Sequence, residues 1–460
     1  MSCYKWNELL SEKRERQSGT EEDHRTEFDK DYDRIISSSS LRRLQDKAQV
    51  FPLQENDFTR TRLTHSLEVS SIGRSLGLAI GKKLIHENKD GFTQEMIYKM
   101  SSLLAVAGLV HDLGNPPFGH YGETIVRHWF VDWFEKNKDV NIEESGKLDF
   151  KRFEGNAQSL RIVSKLQFLN DEYGLNFTYG TLGAIIKYPW NSSDKKAEQK
   201  DKFGYFLSEK KLVETIFENT GTGMNGKKNP LSYLLEAADD IAYLLADIED
   251  GVKKGVVSWK VEYEKLKNDF GTDENLKDAF EYVDKKNEKH ESNEMPEVEI
   301  INIQNFRVQI QGALIKEAVT VFINNYIEIM DGKFEGDLLK NGKYKNIIEA
   351  LRDITKKTCF CCTEVLTLEL VGENVLSGLL DRFANAVIGF KEDEGVKRKN
   401  GKLCKLISDN FKYICQLKHN DSSIEKLPQY EKLMLVTDYI TGMTDSYAVN
   451  LHKKLIGVKL

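Results

Sequence analysis

The feature that most limits what this chain can become is an apolar run that stops on two metal-competent side chains. Residues 103–110 contain only Leu, Ala, Val and Gly, which reads as a buried helix. His111 and Asp112 appear where that run ends, and Asn115-Pro116-Pro117 follows. Proline lacks an N–H and pushes the residue before it out of the α region, so the helix cannot continue. The chain must turn sharply and present His120 and Glu123 just beyond the turn. Burying an unpaired Asp beside a His is costly, and a divalent cation that binds both removes that cost. A His-Asp pair alone is common and usually means nothing. The signal lies in the whole string from Leu109 to Glu123.

A chain of 460 residues is long enough for two or three domains, or for one large helical one. The net charge of −7 argues against a protein coated in nucleic acid, although a local basic patch remains compatible with it. Six cysteines are scattered, and Cys359-Phe360-Cys361-Cys362 lacks a second pair at zinc-finger spacing, so reduced thiols are expected. Lys5, Glu8, Glu12 and Lys13 follow Met1 at once and leave no room for a secretory apolar segment. No apolar run approaches the roughly 20 residues of a membrane span. The expectation is a cytoplasmic protein with no membrane partner.

Taken in order, residues 1–34 are polar and charge-mixed, with Arg14, Arg16, Arg25 and Arg34, as in a surface arm or short helices. Ser37–Ser40 caps a short helix over 41–49 with Leu41 and Leu44 on one face. Thr59–His65 opens a long helix in which Leu63, Leu67, Ile72, Leu76 and Ile80 recur at roughly helical spacing. Arg62 and His65 share one side of it. A lone histidine in such a place is more often a core residue than a ligand. Residues 191–202 are polar and lysine-rich, which predicts a flexible loop, and Thr220–Gly226 predicts a glycine-rich linker.

In Leu234–Asp247, the residues Asp239, Tyr243 and Asp247 are spaced by four and four. At 100° per residue they drift only about 80° and form one polar stripe on an apolar helix. Two carboxylates and a phenol along one face are unusual for a core helix, whereas Asp240 and Glu249 suit a solvated face. Residues 281–299 are the most charged segment and the best boundary. Helical patterns resume over 306–326, 346–354 and 371–390, with a charged loop at 391–402, and the element from Tyr439 onward should dock. No repeat and no series of alternating strands is present. The fold class is all-α. Three parts are expected: a core with its N-terminal arm over 1–255, a charged connecting segment over 256–300, and a helical region over 301–460 that completes the pocket and makes oligomer contacts.

His65, then His111-Asp112, then Asp239 resembles the H…HD…D order of the HD-domain metal-dependent phosphohydrolases. Longer words narrow the resemblance: Asp33–Ile36, Leu41–Gln45, Gln49–Phe51, Arg60–Val69, His111–His120, Glu236–Tyr243 and Asp438–Asp445. These look like the deoxyguanosine triphosphate triphosphohydrolase (dGTPase) family, in the family's order, from about residue 28 onward. The stretches 191–202 and 252–300 carry no family word. The fold implied is a multi-helical HD-domain core with a peripheral helical subdomain.

By that resemblance, His65, His111, Asp112 and Asp239 hold one divalent ion per subunit, Mn²⁺, Mg²⁺ or Fe²⁺. Two histidines and two aspartates suit such an ion and leave positions open for water and phosphate oxygen. The reaction implied is attack at the α-phosphate of dGTP, or of other deoxynucleoside triphosphates, releasing deoxynucleoside and tripolyphosphate. His120 resembles the family's catalytic histidine, with Glu123 one turn on to orient it and hold its charge. Tyr243 and Asp247 resemble the pair that meets the sugar 3′-hydroxyl, the ring lying where a 2′-hydroxyl would clash. Gln49 resembles the residue reading the 3′-hydroxyl from the other side. Arg62, Lys187 and Tyr188 look phosphate-facing, and Lys202 and Arg307 are weaker members of that set, with a solvated surface charge as the equal alternative.

Two rival readings stay open. A phosphodiesterase or nucleotidase would share the metal shell but needs neither Tyr243 and Asp247 nor His120 and Glu123. A nucleotide-sensing scaffold would keep the fold without the chemistry, against which the complete metal set and His120 argue. The family habit implies a homo-oligomer, a tetramer or hexamer, and a single-stranded DNA or nucleotide effector, which the basic stretches Lys13–Arg16 and Lys195–Lys202 permit.

Overall fold

Glycines decide how close the two histidine-bearing helices come. In a computed structural model, which describes residues 3–17, 23–51, 53, 58–167, 172–223, 226–393, 395–417 and 423–458, the His65 helix runs Arg62–His86 and the His111 helix runs Gln94–Val110. A Cβ on Gly108 would stand 2.6 Å from the Ser70 backbone, so the helices touch main chain to main chain there. Gly73 and Gly77 meet Leu104 and Ser101 in the same way further along. The close approach brings the rings of His65 and His111 to a centroid separation of 5.3 Å.

The His65 helix starts on a capping box, with Thr61 accepting from the Thr64 N–H and Thr64 returning to the Thr61 N–H. The Asp239 helix, Pro230–Lys253, is capped by the Asn229 side chain and has proline in its first turn, the position proline tolerates. It packs against the His65 helix, and the Arg307 helix, Val298–Asn324, packs on both. The Arg352 helix, Lys345–Thr358, lies along the Asp239 helix. After Pro116-Pro117 the chain passes through Phe118 and Gly119, both left-handed at φ 64° and 61°, and enters the His120 helix, Gly119–Lys136. The long helix Thr363–Ile388 packs on that helix, and Gln429–Thr441 and Asp445–Leu455 pack on Thr363–Ile388. Among the described residues β structure is limited to two single-residue bridges, Ala48 with Thr61 and Asn191 with Tyr205. The fold is all-α, as expected. No described helix is long and apolar enough to cross a membrane.

Several local expectations change. The charged stretch expected to connect is a pair of helices, Trp259–Phe270 and Lys277–Ser292. One apolar side chain per turn is enough for them, because Trp259, Tyr263 and Phe280 close onto Phe306 in one aromatic cluster. The polar loop at 191–202 contains the helix Lys195–Lys200, and the one at 391–402 ends inside the helix Lys399–Leu406. Of the surface arm or short helices expected over 1–34, the described residues form the short helices Trp6–Leu9 and Glu27–Ile36, and Arg14, 3% exposed, pairs with Glu27 and Asp31. Residues 224 and 225 of the glycine-rich linker lie outside the described residues, while Gly221 and Gly223 are left-handed turn residues. All six cysteines are free thiols.

Candidate functional site

His111 caps the end of its helix, and the Gly108 carbonyl settles which of its nitrogens is protonated. A carbonyl only accepts, so Nδ1–H donates to it at 2.8 Å and Nε2 is left with a lone pair. That Nε2 is buried without a hydrogen-bond partner, 3.4 Å from Oδ1 of both Asp112 and Asp239. His65 Nε2 lies 3.1 Å from the same Asp239 oxygen, and His65 Nδ1 is likewise buried and unpartnered. Ligand atoms of His65, His111 and Asp239 all fall within 4.8 Å of one another.

An orphaned imidazole lone pair, a second imidazole and a carboxylate converging in a buried place fit a divalent cation. The backbone hydrogen bond on the far side of His111 fixes the tautomer a metal ligand needs. Burial alone would lower His111, yet the charges of Asp112 and Asp239 raise it: these carboxylates draw in positive charge. Burial would raise Asp239, but Lys187, donating to its Oδ2 at 3.1 Å, and His111 hold it well below the usual carboxylate range.

Asp112 stands outside the converging group. Its Oδ2 accepts from Arg62 Nη1 at 2.7 Å and its Oδ1 from the Asn115 amide at 2.8 Å. Arg62 Nε is buried without a partner.

His120 projects outward, its side chain 77% exposed, and its Nδ1 is 3.2 Å from Glu123 Oε2. Glu123 is buried, and the Gly155 N–H donates to its Oε1 at 2.7 Å. The hydrogen bond to Glu123 raises the His120 imidazole above its ordinary value. Lys202 is 3.9 Å from Glu123 and 2.9 Å from the buried Glu154, so its charge braces this carboxylate pair.

Along the Asp239 helix, the Tyr243 hydroxyl accepts from Arg352 Nε at 2.9 Å. Asp247 is buried and is pushed up to about 8 by burial and then by Asp250, so it is mostly protonated near neutrality. Gln49 Oε1 is buried without a partner. Tyr188 is half-buried beside Trp190, with ring centroids 5.8 Å apart. Arg307 gives its guanidinium to Glu249 at 2.6 Å and Glu68 at 2.9 Å, in a network shared with Arg60. Glu249 is therefore buried and paired instead of solvated.

Some supporting residues carried little signal. Asp445 stood out only within a family word, yet its carboxylate receives the Phe118 and Ala48 N–H groups and so pins the His120 turn and the Gln49 loop together. Lys47, fully buried, donates to the carbonyls of Asn115 and Thr441 and ties the same turn to the C-terminal helices. Arg352 lies in an ordinary amphipathic helix and has no signature at all.

An HD domain matches residues 62–174, which span His65, His111, Asp112, His120 and Glu123. A deoxyguanosinetriphosphate triphosphohydrolase-like protein of Listeria monocytogenes is 42% identical, over 99% of this chain and 100% of its own length. A protein of the same description from Synechocystis is 34% identical over 99% and 100%. The deoxyguanosinetriphosphate triphosphohydrolase of Salmonella paratyphi A is 32% identical over 94% of each. Identity of this level from end to end, on a site with this arrangement, means that the chain belongs to the deoxyguanosinetriphosphate triphosphohydrolase-like family of HD-domain proteins.

Proposed function

We propose that the protein is a metal-dependent triphosphohydrolase that converts dGTP, and other deoxynucleoside triphosphates that fit, to deoxynucleoside and tripolyphosphate. The observation that carries this reading is the buried, unpartnered Nε2 of His111 converging with His65 and Asp239 one helix away from the His120–Glu123 pair. The Salmonella relative's name points to the same substrate.

In this reading His65, His111, Asp112 and Asp239 would hold the ion. Bound there, a divalent ion would supply Lewis-acid polarisation of a phosphoryl oxygen and offset charge at phosphorus. Arg62, with its Nε unpaired, supplies a fork for phosphate oxygens, and Lys187 supplies a second positive charge. Tyr188 lines the phosphate side. His120 donates a proton to the 5′ oxygen as it leaves, because Glu123 favours the charged imidazole. Gln49 Oε1 and the protonated Asp247 meet the 3′-hydroxyl, one as acceptor and one as donor, and the Tyr243 ring walls off the 2′ position. Lys202 and Arg307 serve from behind this surface, Lys202 by holding Glu123 and Glu154 and Arg307 by neutralising Glu68 and Glu249.

The test is product analysis with each deoxynucleoside triphosphate in Mn²⁺ or Mg²⁺. Deoxynucleoside and tripolyphosphate are expected as first products, and hydrolysis in ¹⁸O-water should label the tripolyphosphate. A diphosphate with orthophosphate, or a monophosphate with pyrophosphate, would assign the site to another phosphohydrolase reaction.

A further inference from the structure

Tyr243 does not stand alone on its helix. Arg352, which arrives from a helix more than one hundred residues later in the chain, reaches it with Nε at 2.9 Å. The neighbouring Nη2 of the same guanidinium donates to Asp240 Oδ2, also at 2.9 Å. Nε and Nη2 form one planar edge of an arginine, and here that edge spans two acceptors three residues apart on a rigid helix. Its own helix is anchored by buried Ile347, Ile348, Leu351 and Ile354. At the end of that helix the Cys359 thiol points to the Asp247 carbonyl at 3.5 Å. One helix and its cap thus hold Asp240, Tyr243 and the Asp247 backbone, alongside the polar stripe.

The direction of the hydrogen bond matters as much as its presence. A guanidinium only donates, so it occupies a lone pair of the Tyr243 oxygen and leaves the phenolic hydrogen to point elsewhere. With Asp240 fixing the arginine, the phenol ring has one orientation and its hydroxyl one free role, as donor. An aromatic side chain on a helix otherwise has two common χ1 positions to choose from.

We infer that Arg352 is the positioning residue that sets sugar discrimination at this site, by locking the Tyr243 ring at the 2′ edge of the substrate with its hydroxyl as a donor. The inference rests on the triphosphohydrolase reading above. Arg352 itself touches no reacting atom. A lysine could supply the charge but not the two-pronged edge.

The experiment compares wild type, Arg352→Gln, Arg352→Lys, Tyr243→Phe and the double variant Tyr243→Phe/Arg352→Gln. The readouts are kcat and KM for dGTP and GTP in Mn²⁺, bound metal by elemental analysis, and circular dichroism. The ratio of kcat/KM for dGTP over GTP should fall roughly tenfold or more in Arg352→Gln, the usual worth of one charge-assisted hydrogen bond. Most of the change should lie in KM for dGTP, with metal content unchanged. Arg352→Lys should fall similarly, and if the Gln variant loses helix content the Lys variant decides. In the Tyr243→Phe background Arg352→Gln should change the ratio no further, because the acceptor is already gone. An unchanged ratio, or equal losses for both sugars, would show that Arg352 is only a structural ion partner of Asp240 and would overturn the inference. If wild type itself releases no tripolyphosphate from dGTP, the underlying reading fails first and this inference falls with it.

Discussion

His111 commits one nitrogen to its own helix and offers the other to the site, and this division of labour makes single substitutions informative. Replacing His111 or Asp239 by Ala should abolish both bound metal and turnover while the helical spectrum stays. Elemental analysis and circular dichroism check this, and full activity in either variant would remove these residues from the metal set. His120 answers to a different partner. Glu123, held by the Gly155 N–H, raises the imidazole, so its charged form persists to higher pH than that of a free histidine. A general acid is active while protonated, so activity should fall as pH rises through that raised value. Glu123→Gln removes the cause, and the alkaline limb of the kcat profile should move to lower pH. His120→Ala should drop turnover by roughly 10²–10⁴-fold with metal and nucleotide still bound. A Glu123→Gln profile that overlays the wild type would mean that the pair does not set the proton donor.

At the scale of helices, the contact between the His65 and His111 helices has little tolerance. Gly108 has no room for a Cβ, and its carbonyl is also the acceptor that fixes the His111 tautomer. Gly108→Ala should push the helices apart at a cost of about 1–3 kcal/mol and weaken metal binding by roughly 10- to 100-fold. Gly312 is the control: it sits inside the Arg307 helix with nothing within 4 Å of an added Cβ, so Gly312→Ala should stabilise by about 0.4–1 kcal/mol. Thermal melts and a Mn²⁺ titration of the two variants separate the effects, and equal behaviour would mean that the crossing is not tight.

The same elements mark the limit of what the sequence could tell. The His111 string was legible because apolar run, ligand pair and double proline stand side by side, and the Asp239–Tyr243–Asp247 stripe because its period is helical. The helices Trp259–Phe270 and Lys277–Ser292 were hidden by their charge, since their few aromatic anchors declare themselves only on meeting Phe306. Arg307, Lys202 and Arg352 could be named or overlooked as cations, but not assigned, because their carboxylate and phenol partners lie far away in sequence. Asp112 looked equivalent to Asp239 in the linear motif, and only the fold shows it turned to Arg62 and Asn115.

Across the whole molecule, the C-terminal helices are held to the core through Arg161 as well as through apolar packing. Its Nε and Nη2 both meet the Asp438 carboxylate at 2.8 Å, and Nη1 meets Glu209 at 2.7 Å. All three side chains are buried, and they come from three separate parts of the chain. Burial would drive both carboxylates up. Asp438 stays raised despite Arg161, while Lys165 and Arg161 bring Glu209 down to about 2. Arg161→Met keeps much of the volume and removes the charge, leaving Asp438 buried without its ion partner and Glu209 with Lys165 alone. Breaking a buried pair from one side costs about 3–5 kcal/mol. The sign of the pH effect follows from the direction of the shift. An acid raised in the folded state is harmless below its unfolded value, and its penalty grows as pH climbs from the ordinary carboxylate range through the folded value. The stability deficit of Arg161→Met should therefore be small near pH 4.5 and larger at pH 8, as protonated carboxyls are forced to ionise in a buried place. Denaturant unfolding of both proteins at the two pH values measures it, and a deficit that does not change with pH would mean that lost packing, not the stranded carboxylates, is the cause.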